Sequence, residues 1–412
     1  MLKKLSNSII IYGGTNALKS LVPFLMLPIL TFYISPKEYG DLALIETTIM
    51  FLLPFIMLNI NGAINVEYFR RDDRQEYKQY VVNAIALSLF SFLFISLLLY
   101  FFKIQFSSWI DLDSQWVELL ALFAFLRVLS TIILVIFQAS ERPKLYAYFS
   151  IAQTIVDFSI SYYLVVALKY SIVGRIVGVY SSFFIFMVLA LYLLYKMNYF
   201  KGKFTFKYTK EILTFGLPLI PHAIGGIILA MSDRYFISYF IGNSEVGLYT
   251  VAYQVSAVLL LVTMSVNQAW SPMFFRLMKE GNHQSINKTI AILFILFLLM
   301  SVAVYGVSPF VYDYFIDNKF YGSKIYLFYL LLGFTFQSLY FLFTNYLFYY
   351  KKTLVLSMVT FLGAILNLIL NYFFIKKYGT IGVAYATVIT WFFYFVVVFF
   401  QALRLREQHY AN

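Results

Sequence analysis

Residues 81–102 read VVNAIALSLFSFLFISLLLYFF, twenty-two positions without one Asp, Glu, Lys or Arg. A helix of that length covers about 33 Å at 1.5 Å per residue, enough for the hydrocarbon core of a bilayer. Five more stretches are equally free of charge: 176–195, 289–312, 325–350, 353–375 and 378–403. A buried core helix imitates one such run, but not a succession of them. Tolerating a few charges gives twelve spans, at 8–33, 42–64, 81–102, 117–139, 147–168, 172–195, 214–240, 248–271, 289–310, 325–348, 353–375 and 380–403. The sequence therefore predicts an all-α polytopic membrane protein.

Composition agrees with this. Of 412 residues, 62% are hydrophobic and 12% charged, about half the charged share of a soluble domain. That is too little charge to coat two or three soluble domains, and soluble and disordered classes are excluded. The chain has no Cys, which removes disulfides, thiolate metal sites and Cys nucleophiles. Its three His residues, His222, His283 and His409, are scattered and predict no metal site. The opening Met1-Leu2-Lys3-Lys4 leads into an apolar stretch running past Lys19 to about Tyr33, without an A-x-A-like cleavage site. A retained first span is expected rather than a signal peptide.

The formal net charge is +12. The basic residues lie in short clusters between apolar runs, the pattern of membrane loops and not of a nucleic-acid surface. With the N-terminus inside, 20 of the 31 Lys and Arg fall in inner segments, seven in outer segments and four within spans. Both termini are therefore expected in the cytoplasm, with Lys376-Lys377 running against the trend. The longest connection, 196–213, is an inner one with five Lys at the middle of the chain. It is expected to join an N-terminal six-helix bundle (1–200) to a C-terminal one (201–412). Glu38-Tyr39-Gly40 echoes Glu245-Val246-Gly247 at an offset of 207, and Arg142 echoes Lys351 at 209. Six spans per half make such a repeat parallel.

Ionisable groups at membrane depth cost several kcal/mol, so they face a cavity or one another. The basic ones are Lys19, Arg127, Arg175 and Arg234; the acids are Glu46, Asp157 and Asp233, with Glu118 at a span edge. Polar neighbours recur at helical spacing beside them: Tyr12, Asn16, Lys19 and Pro23; Gln153, Asp157 and Ser161; His222, Gly226 and Asp233; Asn367 and Asn371. Such stripes face protein or water. Two arrangements satisfy these charges. In one, a polar cavity presents Lys19 and Arg127 to an anionic group, with Asn16, Gln153 and His222 on its wall. In the other, Lys19 pairs with Asp157 across a helix interface and Asp233 pairs with Arg234. Arg175, close to an outer end, fits a substrate path or snorkelling equally. His222 suits a packing or a proton-linked role. Pro23 and Pro28, and Pro218 and Pro221, are expected to break the first and seventh helices at corresponding places.

Other classes lack their signatures. There is no G-x-x-x-x-G-K-[ST] segment for an ATP-driven pump. The outer loops are too small for a catalytic site, and their acids Asp111 and Asp113 read as solvated loop residues. No repeated filter sequence marks a channel.

With these motifs in place, the chain resembles the polysaccharide-flippase branch of the multidrug/oligosaccharidyl-lipid/polysaccharide transporter superfamily. It looks most like bacterial O-antigen and capsular repeat-unit flippases. The resemblance is carried by Leu30-Thr31-Phe32-Tyr33-Ile34-Ser35-Pro36-Lys37-Glu38-Tyr39-Gly40 and by Gly216-Leu217-Pro218-Leu219-Ile220-Pro221-His222. Further carriers are Asp233-Arg234, Gly247-Leu248-Tyr249, Asn367-Leu368-Ile369-Leu370-Asn371-Tyr372 and Tyr378-Gly379-Thr380-Ile381-Gly382-Val383-Ala384. It implies two six-helix bundles around a central cavity, in a non-enzymatic, cofactor-free transporter of the bacterial inner membrane. The implied substrate is an oligosaccharide on undecaprenyl diphosphate, moved to the outer leaflet by alternating access. Lys19, Arg127, Arg175 and Arg234 are carried over as cations for the diphosphate, and Asp157 as the best-placed carboxylate for an H⁺ or Na⁺ coupling step. Expected partners are membrane lipid and a polymerase or glycosyltransferase of the same pathway. The alternatives are an ion-coupled multidrug exporter, which calls for a net acidic cavity, and a membrane glycan polymerase or ligase, which calls for an outer catalytic residue.

Overall fold

The computed structural model describes residues 2–201 and 204–410, and these are helical with no strand among them. The helices are α1 (Leu2–Tyr33), α2 (Pro36–Met57), α3 (Ile60–Arg70), α4 (Arg74–Ile110), α5 (Ser114–Ala139), α6 (Pro143–Tyr162) and α7 (Ser171–Lys196). They continue with α8 (Phe206–Gly216), α9 (Ile220–Phe240), α10 (Asn243–Lys279), α11 (His283–Phe315), α12 (Lys324–Tyr349), α13 (Thr353–Tyr378) and α14 (Thr380–Tyr410). Twelve spans result among the described residues, because α2 with α3 and α8 with α9 each make one interrupted span. This is a multi-pass membrane protein.

The helix ends follow local chemistry. Ser35 and Glu38 form a reciprocal cap at the start of α2: the Ser35 amide donates to Glu38 Oε2 at 2.8 Å and the Glu38 amide to Ser35 Oγ at 3.3 Å. Pro36 sits where a missing N–H costs nothing. Asp73 caps α4, Asp113 caps α5 and Asn282 caps α11, each accepting from a backbone amide in the first turn. Asp111 and Asp113 thus flank a helix junction.

The chain packs as two compact units, Met1–Ile34 with Asp41–Ile227, and Ser35–Gly40 with Ile228–Asn412. In the first, α5 is central and touches α3, α4, α6 and α7. Val117, Ala121, Ala124, Val128, Ile132 and Ile133 on it are fully buried. In the second, α12 is central, against α10, α11, α13 and α14, around a core that includes Trp270, Phe274, Leu339 and Tyr394.

Two interruptions meet inside the first unit. Leu58 and Asn59, between α2 and α3, take left-handed φ values of 49° and 52°. The Asn59 side-chain amide donates to the Gly216 carbonyl at 3.2 Å. A Cβ on Gly216 would lie 1.9 Å from the Leu58 carbonyl oxygen, so only glycine allows the approach. Beyond it, residues 217–219 form a 3₁₀ turn around Pro218, and α9 starts afresh. The expected break of the seventh helix is therefore present. The expected break of the first is not: Pro23 and Pro28 lie inside uninterrupted α1. Each proline there removes one backbone bond, which a membrane helix tolerates, whereas Gly216 and two prolines act together in the seventh.

Connector helix α8 is held by Arg71, at the end of α3. Its guanidinium meets Glu67 at 2.8 Å and Glu211 of α8 at 2.5 Å, and lies between the rings of Tyr80 and Tyr208, 4.9 and 4.7 Å from their centroids. Burial disfavours its charge, but Glu67 and Glu211 outweigh that and raise its pKa above the ordinary arginine value.

Candidate functional site

Four helices of the first unit bring four of the charges at membrane depth to one cavity of about 350 Å³. Lys19 and Pro23 come from α1, one turn apart. Arg127, Ser130 and Thr131 come from one face of α5, Gln153 and Asp157 from one face of α6, and Arg175 and Ser182 from α7. Spacings of three, four and seven put each set on a common helix face. Pro23 has no N–H to close on the Lys19 carbonyl, which leaves that turn without its regular bond.

Two of the three cations are already matched. Arg127 Nη2 donates to both Glu46 oxygens, at 2.9 and 2.7 Å, and lies 2.8 Å from the Tyr180 hydroxyl. Tyr180 in turn donates to Glu46 at 2.9 Å. Arg175 Nη1 donates to Asp157 and to Ser161 Oγ, both at 2.6 Å. Gly178 makes this pairing accessible, since a Cβ there would sit 2.7 Å from the Ser161 backbone and push α6 from α7. Lys19 has no carboxylate within ion-pair distance among the described residues. Lys19, Arg127 and Arg175 against Glu46 and Asp157 leave one positive charge. Polar atoms on the same wall are also unused: Ser130 Oγ, Gln153 Nε2 and Arg127 Nε are buried without a hydrogen-bond partner. A buried donor left so costs free energy until a ligand or water takes it. The cavity thus combines one surplus positive charge with polar atoms that have no protein partner.

The second unit holds a separate polar cluster around Asp233 of α9, which is 3% exposed. Its carboxylate accepts from the Tyr249 hydroxyl at 2.6 Å, the Asn371 amide at 2.9 Å and the Thr387 hydroxyl at 3.0 Å. Asn367 extends the network to Ser232 and Thr390. The Asn371 carbonyl oxygen is buried without a partner. Arg234 turns away, with its guanidinium 4.8 Å from the centroid of the Tyr253 ring.

Several expected arrangements are revised by this geometry. Lys19 does not pair with Asp157, because Arg175 occupies that carboxylate. Asp233 and Arg234 form no ion pair: neighbours along one helix point to different faces, and hydroxyl and amide donors satisfy the acid instead. Arg175 does not snorkel, its side chain being 14% exposed. Asn16 is exposed and accepts from Tyr146 at 3.2 Å, off the cavity wall. His222 is exposed on α9 and lines none of it. Sequence reading missed Tyr180 and Ser130, while Ser161 stood in the polar stripe with Gln153 and Asp157. Ser130 carried a signal, standing three residues after Arg127; Tyr180 is one of 36 tyrosines and carried none.

Comparison with solved structures identifies the fold, which this chain shares with two membrane proteins. The chain superposes on the lipid II flippase MurJ in an inward closed conformation with a TM-score of 0.76 and 16% identity, covering 96% of this chain and 86% of that one. It superposes on a multidrug resistance MATE family transporter in an inward-facing conformation with a TM-score of 0.75 and 15% identity, covering 94% and 96%. The family model described as polysaccharide biosynthesis protein matches residues 5–278, and the MatE model matches 218–373. The chain belongs to the polysaccharide biosynthesis protein family. Two Haemophilus influenzae proteins are similar to it. Lsg locus putative protein 1 is 25% identical over 377 residues, 89% of this chain and 90% of that protein. An uncharacterized membrane protein is 26% identical over 419 residues, 98% of each.

Proposed function

We propose that this family member is a flippase for an oligosaccharide carried on undecaprenyl diphosphate, moved from the cytoplasmic to the outer leaflet of a bacterial inner membrane. The observation that carries this reading is Lys19: one uncompensated cation in a cavity whose other charges are internally paired and whose wall holds unused hydrogen-bond donors. A sugar headgroup loses its water partners in lipid, and a polar cleft replaces them. Lys19 supplies charge-assisted bonds to the diphosphate, while the paired state of Arg127 and Arg175 keeps binding modest enough for release. The positive-inside distribution supports cytoplasmic termini, and alternating access is the expected cycle.

The coupling step is assigned here to Asp233 rather than Asp157. Asp157 is bonded to a guanidinium, whereas Asp233 has only neutral donors and an unpartnered Asn371 oxygen beside it. The carboxylate and that carbonyl oxygen together offer oxygen ligands to a coupling ion. A polymerase or glycosyltransferase of the pathway is the expected neighbour. The decisive experiment is complementation of a null strain: Lys19→Ala should abolish surface glycan with the protein still in the membrane.

Export of organic cations is a second reading, favoured by the MatE match over 218–373. The surplus positive charge at Lys19 opposes it. Resistance to cationic dyes conferred by this chain on a sensitive host would favour it.

A further inference from the structure

The polar cavity does not end at Lys19. A second cleft, of about 320 Å³, runs between α1 and α6 and shares Lys19, Val22 and Thr154 with it. Apart from Lys19 and Thr154 its lining is apolar. Leu18, Leu21 and Leu25 come from α1, and Ile155 and Phe158 from α6. On α1 the lining positions besides Lys19 are 18, 21, 22 and 25, and on α6 they are 151, 154, 155 and 158. Each is one stripe of a helix at spacings of three, one and three, and the two stripes face each other across the cleft. Leu21, Leu25 and Ile155 are 47%, 59% and 59% exposed, so the cleft opens to the outside of the helix pair along its length. Eight residues of each helix, seven steps of 1.5 Å, make it about 10 Å long.

We infer that this α1–α6 cleft holds the head-proximal part of a polyprenyl chain whose diphosphate sits at Lys19. The inference rests on the flippase reading and adds to it where the lipid lies. Three features select this occupant. The cleft and the cavity meet at the unpaired cation, so one molecule with an anionic junction between a polar head and an apolar tail fills both. Lys19 lines both spaces, with polar side chains around the one and leucines around the other, which matches such a junction. A cleft of this length takes only the first units of a long chain, and the remainder stays in the bilayer, so the headgroup can move without extracting its tail.

The test uses the full-length protein in nanodiscs and a polyprenyl diphosphate bearing a photoreactive diazirine near its head end. Adducts are mapped by mass spectrometry. Labelling is expected at Leu21, Leu25, Ile155 or Phe158. Unlabelled polyprenyl diphosphate should compete and polyprenol should not. Lys19→Ala should lower labelling about tenfold, the loss carried by one charge-assisted hydrogen bond. Ile155→Trp, which fills the cleft, should lower it as well. Diphosphate-dependent labelling on other helices would overturn the tail position and leave the flippase reading standing. Labelling at α1 and α6 that ignores both Lys19→Ala and the competitor would show a surface wetted by bulk lipid, and would overturn the inference. Loss of all competition by polyprenyl diphosphate would overturn the inference and the flippase reading together.

Discussion

Lys19→Ala and Lys19→Arg separate charge from size at the one cation without a carboxylate. The alanine variant is expected to lower surface glycan at least tenfold, since a charge-assisted bond is worth about 1.5–3 kcal/mol, and arginine should restore most of it. Glycan staining at matched membrane levels of protein measures this. Glu46 offers a contrast, because it holds Arg127 in place. Glu46→Ala leaves a buried guanidinium without its partner, at a cost of about 2 kcal/mol, below the fully buried range because the Glu46 side chain is 36% exposed. A lowered unfolding midpoint in detergent, partly recovered by the double variant Glu46→Ala with Arg127→Ala, is the expected signature. The charges themselves were legible in the sequence, since ions inside apolar runs stand out. Their partners were not. Which acid meets Arg175 depends on α6 crossing α7 at Gly178, and no periodicity along one helix encodes that crossing.

At the scale of elements, the echo between Glu38-Tyr39-Gly40 and Glu245-Val246-Gly247 has a physical cause. A Cβ on Gly40 would lie 1.8 Å from the Asn243 carbonyl oxygen, and one on Gly247 would lie 2.0 Å from the Pro36 carbonyl oxygen. Residues 36 and 243, like 40 and 247, are 207 apart, so the starts of α2 and α10 cross reciprocally with backbone on backbone. Gly40→Ala and Gly247→Ala are each expected to destabilise by about 1–3 kcal/mol, the cost of forcing an extra carbon into packed structure, and to show it as a lower unfolding midpoint. Gly306→Ala is the control, because nothing lies within 4 Å of a Cβ there. Helix number and type were readable because bilayer thickness fixes the length of each apolar run. Helix ends were not: α4 and α10 reach 37 residues, beyond the apolar stretches 81–102 and 248–271. Their polar ends, rich in Gln, Glu, Lys and Arg, propagate a helix well outside an apolar core. The stop at Leu58–Asn59 also escaped notice, since its left-handed backbone is stabilised by Gly216, far away in sequence.

For the whole molecule, the absence of Cys from the sequence makes orientation directly measurable. A single Cys placed at Lys201 should react with a membrane-impermeant maleimide only in inside-out vesicles, and one at Lys103 only in intact spheroplasts; the reverse pattern would reject cytoplasmic termini. Coupling is separable from binding. Asp233→Asn should remove dependence of transport on the proton or Na⁺ gradient, while leaving binding of polyprenyl diphosphate to the Lys19 cavity within about twofold, as expected for sites in separate compact units that share no hydrogen-bond partner. The family follows from motifs spread along the chain, whereas the wall of the Lys19 cavity is made of Ser, Thr and Gln too plain to single out in a sequence. The most direct measurement is the leaflet in which lipid-linked oligosaccharide resides in cells lacking this protein, with wild type or Lys19→Ala supplied in trans. Accumulation on the cytoplasmic leaflet, relieved by the wild type and not by Lys19→Ala, is the expected result. Normal outer-leaflet glycan in the null strain, or full relief by Lys19→Ala, would contradict flipping through the Lys19 cavity.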